Sequence, residues 1–199
     1  MNHSVVDRFA GGGASSGTSQ PGYPSIRFRD MCASDLDAVL DVERACYDFP
    51  WTARVFQDCL NAGYICRLLE QMSQRDSKQQ RGNKLKNPSV EYKEAKLLGH
   101  GILMLGPGEA HILNLCIVPA FQGTGLSVKL LKSLLDTAKA NRAEEIFLEV
   151  RESNSAARKL YESNGFNQLA VRKNYYDAAN GREDAWVYAL TLADHLVEP

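Results

Sequence analysis

The chain has no apolar run approaching the roughly 20 residues that a bilayer-spanning helix needs. Its N-terminus also lacks the basic-then-apolar order of an export signal. Both absences predict a soluble, unexported, cytoplasmic protein with no membrane partner. Net charge is nearly missing: the formal value is −1 over 199 residues, with a pI near 6.4. That excludes a general field for nucleic acid or anionic lipid, so any charged partner is recognised locally. Cys-x-x-Cys spacing is absent among Cys32, Cys46, Cys59, Cys66 and Cys116. An odd set of scattered thiols among apolar neighbours predicts free, buried cysteines rather than a disulfide framework. His3, His100, His111 and His195 show no metal-ligand spacing, so no metal is expected. Internal repeats are lacking too, and the length suits a single, monomeric domain.

What is present divides cleanly. Residues 1–24 are rich in Gly, Ser and Pro and cannot bury enough apolar surface to order, which predicts a disordered tail before one domain over 25–194. Ile26, Phe28 and Met31 read as a strand. Ser34 with Asp37 reads as a capping box, opening a helix whose apolar face is Leu36, Val39, Leu40, Val42 and Cys46. Phe49-Pro50-Trp51-Thr52 stops it, because proline lacks an N–H and restricts the residue before it. Thr52 then caps a second helix through Leu60, and Tyr64–Leu69 reads as a strand. Residues 73–88 carry five basic side chains against one acidic and read as a solvated loop or as a docking patch for RNA-rich or acidic surfaces.

Lys96–Leu105 and Ala110–Val118 are apolar runs joined by Gly106-Pro107-Gly108-Glu109, the pattern of a hairpin. Leu126, Leu130, Leu131, Leu134, Leu135 and Ala138 recur at helical spacing. Ile146-Phe147-Leu148-Glu149-Val150 is nearly all apolar and predicts a strand buried on both faces. Asn154–Ser163 is a short helix stopped by Asn164-Gly165. Phe166–Val171 and Asp184–Leu192 are two last strands around a loop containing Tyr, Gly and Asp. The predicted order is strand, two helices, three strands, helix, strand, helix, two strands.

Between the hairpin and the leucine-striped helix lies Val118-Pro119-Ala120-Phe121-Gln122-Gly123-Thr124-Gly125-Leu126-Ser127. Glycines there let the backbone fold tightly before a helix whose first amides have no intrahelical partner, which makes an anion seat, most simply for a pyrophosphate. Glu149 sits inside an apolar strand, where a carboxylate must face a wet cleft or find a partner. It reads as a general base, or as an outward-pointing residue paired with Arg151. Tyr161 is a core tyrosine or a catalytic one, and Asn154 a helix cap or a ligand contact.

Taken together, Leu115-Cys116-Ile117, Gln122-x-x-Gly125-x-Ser127 and Leu148-Glu149-Val150-Arg151-x-x-Asn154-x-x-Ala157-x-x-Leu160-Tyr161-x-x-x-Gly165-Phe166 resemble the Gcn5-related N-acetyltransferase (GNAT) family. With Phe49-Pro50-Trp51, Asn174-Tyr175-Tyr176 and Gly181-Arg182-Glu183-Asp184-Ala185, the resemblance extends to the RimI type, the bacterial ribosomal-protein alanine N-acetyltransferases, over about residues 26–192. It implies an α/β fold with a mixed central sheet of six to seven strands flanked by four helices. It implies acetyl-coenzyme A (acetyl-CoA) as the acetyl donor, held by the backbone of Leu115, Cys116 and Ile117, by the pyrophosphate loop Gln122, Gly123, Thr124, Gly125, Leu126, Ser127 and Val128, and by Asn154. It makes Glu149 the general base and Tyr161 the general acid. Ser127 stands where the family has Gly or Ala, and Val128 where a basic residue is common, which removes a charge partner for phosphate. The tail and the 73–88 segment have no counterpart in the compact family core.

The implied reaction is direct acetyl transfer to the N-terminal α-amine of a protein, the N-terminal alanine of a small-subunit ribosomal protein. A GNAT enzyme acting on a small amine or on lysine is the alternative. A non-catalytic acyl-CoA sensor is disfavoured because Glu149 and Tyr161 are both present. Cys116 is set aside as an acyl-carrying nucleophile, since no histidine is placed by the sequence to activate it and an apolar strand raises a thiol's pKa.

Overall fold

The computed structural model describes residues 25–72 and 95–192. The expected tail, the basic 73–88 segment, His3 and His195 lie outside the described residues. Along the chain come β1 (Ile26–Asp30), α1 (Leu36–Cys46), α2 (Ala53–Asn61), β2 (Ile65–Gln71), β3 (Lys96–Gly106), β4 (Glu109–Ile117), α3 (Leu126–Ala140), β5 (Glu145–Arg151), α4 (Ser155–Ser163), β6 (Asn167–Ala178) and β7 (Gly181–Thr191). This is the order that the sequence pattern predicts. The seven strands form one sheet, β1-β2-β3-β4-β5-β7-β6. Only β4 and β5 are parallel; the single helix α3 between them is the crossover that a parallel pair needs.

Alternation along each strand divides the core into two layers. Cys66, Leu68 and Ile102 face α1 and α2, packing on Val39, Leu40 and Phe56. Leu103, Ile112, Ile146, Leu148 and Val150 face the other way, onto the Leu131, Leu134 and Ala138 stripe of α3 and onto Tyr161 of α4. Gly99 is required where β3 meets β4, since a Cβ there would collide with the backbone of Cys116.

Four expectations change in detail. β5 is not buried on both faces: Ile146, Leu148 and Val150 are buried while Phe147, Glu149 and Arg151 are half-buried, because helices cover only one side of it. The last two strands are longer than their apolar runs, and the Tyr-, Gly- and Asp-containing loop is mostly a hairpin turning at Ala179-Asn180. The cap before α1 lies two residues earlier than Ser34: the Cys32 amide donates to Asp35 at 2.8 Å, opening a single 3-10 turn. Thr52 does occupy the N-cap of α2, without a side-chain hydrogen bond. Free thiols are found throughout, but Cys32 is exposed.

Candidate active site

Pairing between β4 and β5 runs from Glu109 with Glu145 to Ile112 with Leu148 and then stops. At that point β4 also slips against β3, so that Leu103 faces Ile112, Ile102 faces Asn114, and Leu113 is left out of register. A bulge of this kind bends the strand and re-aims the residues beyond it. The two strands part, and a cavity of about 760 Å³ opens between them, lined on one side by Leu115, Cys116 and Ile117 and on the other by Asn154, Ala157 and Leu160 of the α4 region. The free edge of β4 carries backbone carbonyls met only by side chains. Tyr47 donates to the Leu115 carbonyl at 2.9 Å, and Gln122 Nε2 and Cys46 Sγ donate to that of Ile117 at 3.0 and 3.3 Å. An extended amide-bearing chain would find sheet-like partners along this edge.

The cavity ends at the glycine turn. Gly123 and Gly125 have φ of 72° and 80°, values at which any Cβ is strained, and Gly125 is the N-cap of α3. Gln122, Gly123 and Ser127 reach the cavity wall. Thr124 does not, because its hydroxyl donates back to Phe121 at 2.6 Å. Leu126 is buried with Leu130 in the core, and Val128 is exposed. Asn154 serves as a helix cap, accepting from the Ala157 amide at 3.0 Å, and still faces the cavity. Lys159, which sequence reasoning did not single out, lies on the same wall.

Glu149 and Tyr161 are not on this wall and do not touch. Glu149 has 25% of its side chain exposed and lies 2.9 Å from an Arg172 nitrogen, so its partner is Arg172 rather than Arg151. Glu149 in turn raises the Tyr175 pKa. Tyr161 packs edge-on against Phe166 at 5.6 Å, and burial, then the nearby Tyr176, pushes its pKa well above the usual value. Tyr176 links the two: Glu149 acts on it electrostatically, it acts on Tyr161, and its ring meets Tyr175 at 5.0 Å.

This tyrosine pair is held by a second bulge. Between Arg172 and Tyr176 the β6–β7 register slips, and Asn174 takes a φ of 52°. Asp184 accepts from the Asn174 amide at 2.9 Å and from Lys173 at 2.5 Å, while Arg182 donates to the carbonyls of Asn174 and Tyr175, both at 2.6 Å. Arg151 fastens the hairpin to the α1–α2 loop, with its guanidinium 4.4 Å from the Tyr176 ring centre and 5.4 Å from that of Phe49.

Sequence reasoning missed a buried polar cluster behind the β4 edge. Glu43, 1% exposed, meets His100 Nε2 at 3.1 Å and accepts from Asn114 and from the Trp51 amide. A charged residue on an otherwise apolar helix face was the available signal. Ligand atoms of Glu43, His100 and Cys116 lie within 4.8 Å of one another, a grouping that sequence spacing does not reveal. His100 Nδ1 is buried without a partner, whereas a metal-bound imidazole normally donates through its second nitrogen, so the set reads as a hydrogen-bonded tie between α1, β3 and β4. A histidine therefore does stand near Cys116, contrary to expectation, but Glu43 engages it. The neighbouring Cys46, with burial added, raises the Cys116 pKa strongly, which keeps it unsuited to carry an acyl group.

A family model described as acetyltransferase (GNAT) family matches residues 36–166. The ribosomal protein bS18-alanine N-acetyltransferase of Haemophilus ducreyi is 40% identical over 160 residues, covering 79% of this chain and 94% of that protein. The crystal structure of the ribosomal-protein-S18-alanine N-acetyltransferase from Escherichia coli superposes with a TM-score of 0.68 at 29% identity, covering 88% of this chain and all of that one. The NatC complex bound to Gag peptide and CoA shares the fold, with a TM-score of 0.64 at 21% identity over 84% of this chain and 99% of that one. Among the described residues no helix is long and apolar enough to cross a membrane.

Proposed function

We propose that this chain, which belongs to the GNAT acetyltransferase family, acetylates the N-terminal α-amine of a protein, the N-terminal alanine of a small-subunit ribosomal protein, in the cytoplasm. It is an acetyl-CoA-dependent N-acetyltransferase. The observation that carries the assignment is the free edge of β4 running into the glycine turn of α3, an amide-binding edge that leads to an anion seat. The residues present fit acetyl-CoA: Leu115 and Ile117 offer backbone partners to the pantetheine arm once Tyr47, Gln122 and Cys46 give way. The first amides of α3, with Gly123 and Gly125 before them, take the pyrophosphate. Similarity to bS18-alanine N-acetyltransferases supports the choice of acceptor.

The amine nitrogen attacks the acetyl carbon, the carbon–sulfur bond breaks, and the amine loses a proton. Only a neutral amine attacks. At pH 7 deprotonating an α-amine costs about 1 kcal/mol, against about 4.6 kcal/mol for lysine, so the α-amine is the easier acceptor for a carboxylate base. Glu149 accepts that proton, directly or through water. Its 25% exposure keeps a path to solvent. Tyr161, whose pKa is raised by burial, holds its proton and supports the departing thiolate as a hydrogen-bond donor rather than by full transfer. Tyr175 and Tyr176, held on the β6 bulge, flank the entering peptide N-terminus, with Phe49 across from them.

Incubating the enzyme with acetyl-CoA and synthetic peptides bearing free or blocked N-termini tests the acceptor. Acetylation is expected on the free α-amine of an alanine-initiated peptide. Modification of a blocked, lysine-containing peptide would overturn the assignment. Mass spectrometry of ribosomal proteins from cells with and without the gene tests the ribosomal target: loss of one N-terminal acetyl group is expected, and an unchanged pattern counts against it.

A further inference from the structure

Two thiols stand on the wall of the acyl-donor cavity, and the transfer chemistry needs neither. Cys46 is the last residue of α1, and Cys116 lies on β4, whose open edge binds the donor under the proposed function. Cys46 Sγ donates to the carbonyl of Ile117 at 3.3 Å, next to Cys116. Cys116 Sγ points back to the carbonyl of Val42 at 4.0 Å, one turn before Cys46. Each sulfur thus crosses the seam between α1 and β4 toward the other's backbone. Cys46 is half-buried and open to the cavity, whereas Cys116 is 2% exposed behind it. Cys59 and Cys66 belong to a separate cluster under α2.

We propose that Cys46 and Cys116 form a site of oxidative modification, in which a hydroperoxide entering the cavity closes them into a disulfide that clamps α1 onto β4 and shuts the acyl-donor seat. The clamp rests on the assignment of that cavity to the donor; the covalent bond does not. Cys46 is the attacking sulfur, because it faces the open side of the cavity and the neighbouring Cys116 lowers its pKa. Its thiolate attacks a peroxide oxygen, the oxygen–oxygen bond breaks, and a sulfenic acid forms with release of hydroxide or alcoholate. The Cys116 sulfur then attacks Cys46, the sulfur–oxygen bond breaks, and the departing hydroxide takes the thiol proton as water. Two electrons pass from the thiols to the peroxide. The bond requires the sulfurs to close to about 2.05 Å, which draws the end of α1 toward the strand. Tyr47 and Phe49, the next residues on the cavity wall, must follow.

The test uses full-length, pre-reduced protein treated with hydrogen peroxide and quenched with N-ethylmaleimide. Non-reducing peptide mapping is expected to find a Cys46–Cys116 linked peptide that persists in Cys32→Ser and is lost in Cys46→Ser. Donor binding is read by calorimetry with desulfo-coenzyme A, a probe without a thiol that would itself reduce the bond. Oxidised protein is expected to bind it at least about ten-fold more weakly, a difference of about 1.4 kcal/mol, and dithiothreitol is expected to restore affinity. Absence of the linked peptide, a linkage between other cysteines, or unchanged binding by the linked protein would each overturn the proposal. Reduced protein that fails to bind would sink the cavity's assignment and the clamp with it, whether or not the linked peptide forms.

Discussion

Glu149 and Tyr161 sit on different elements, β5 and α4, so their contributions should separate experimentally. Glu149→Gln keeps the shape and hydrogen bonding of the side chain but cannot accept the proton. Its kcat should fall about 10²- to 10⁴-fold, with the KM for acetyl-CoA held because Glu149 lies off the cavity wall. Steady-state kinetics with both substrates varied checks this, and unchanged turnover would remove Glu149 from the reaction. Tyr161→Phe should lower kcat as well, and the pH profile says how. Burial raises the Tyr161 pKa above about 10, and a raised pKa means that an acid keeps its proton to higher pH. Wild-type kcat should therefore show no loss from ionisation of this group up to about pH 10, and the variant should run lower with the same alkaline shape. An alkaline limb near pH 9 that vanishes in Tyr161→Phe would contradict this.

The two bulges do different work, and only the elements around them explain why. The slip at Leu113 in β4 ends the pairing with β5 and creates the cavity. The slip between Arg172 and Tyr176 in β6 places Tyr175 on Glu149. Asp184 is the anchor of the second, taking both the Asn174 amide and Lys173. Asp184→Ala should release the bulge, lower kcat/KM for peptide about ten-fold, and leave the KM for acetyl-CoA unaltered. Asp184→Asn, which keeps the acceptor for Asn174, should recover part of that. Bisubstrate kinetics on both variants checks the split, and equal damage to both substrates would mean that the hairpin has lost its fold. Neither bulge was legible in the sequence. The apolar run of β4 reads straight through Leu113, and the segment 172–183 reads as a loop because its side chains are exposed along an edge strand that pairs only with β7.

At the opposite end of the sheet, Arg29 grips Asp35 through two bonds of 2.7 Å and shares Glu70 with Arg27, tying β1, β2 and the approach to α1. Arg29 holds the Asp35 carboxyl well below the usual carboxylate range. A carboxyl depressed in the folded state stabilises above its unfolded pKa, about 3.9, and this stability is lost as pH falls below it. Asp35→Asn should lower Tm by about 2–4 °C near neutral pH, reflecting no more than about 1 kcal/mol for a part-exposed pair. The gap should close as the pH is lowered below about 4, and thermal melts across that range check it. Periodicity and punctuation, which depend only on neighbours in the chain, had already settled the element order, the leucine face of α3 and the glycine turn. They also carried the resemblance to GNAT enzymes. The rest depends on contacts between residues far apart in sequence: Glu43 with His100 and Asn114, 57 and 71 positions away, Tyr47 with Leu115, 68 away, and Cys46 across the seam from Cys116. Local pattern is blind to these because each side chain alone fits an ordinary helix or strand, and only the packing of α1 against the strands brings them together.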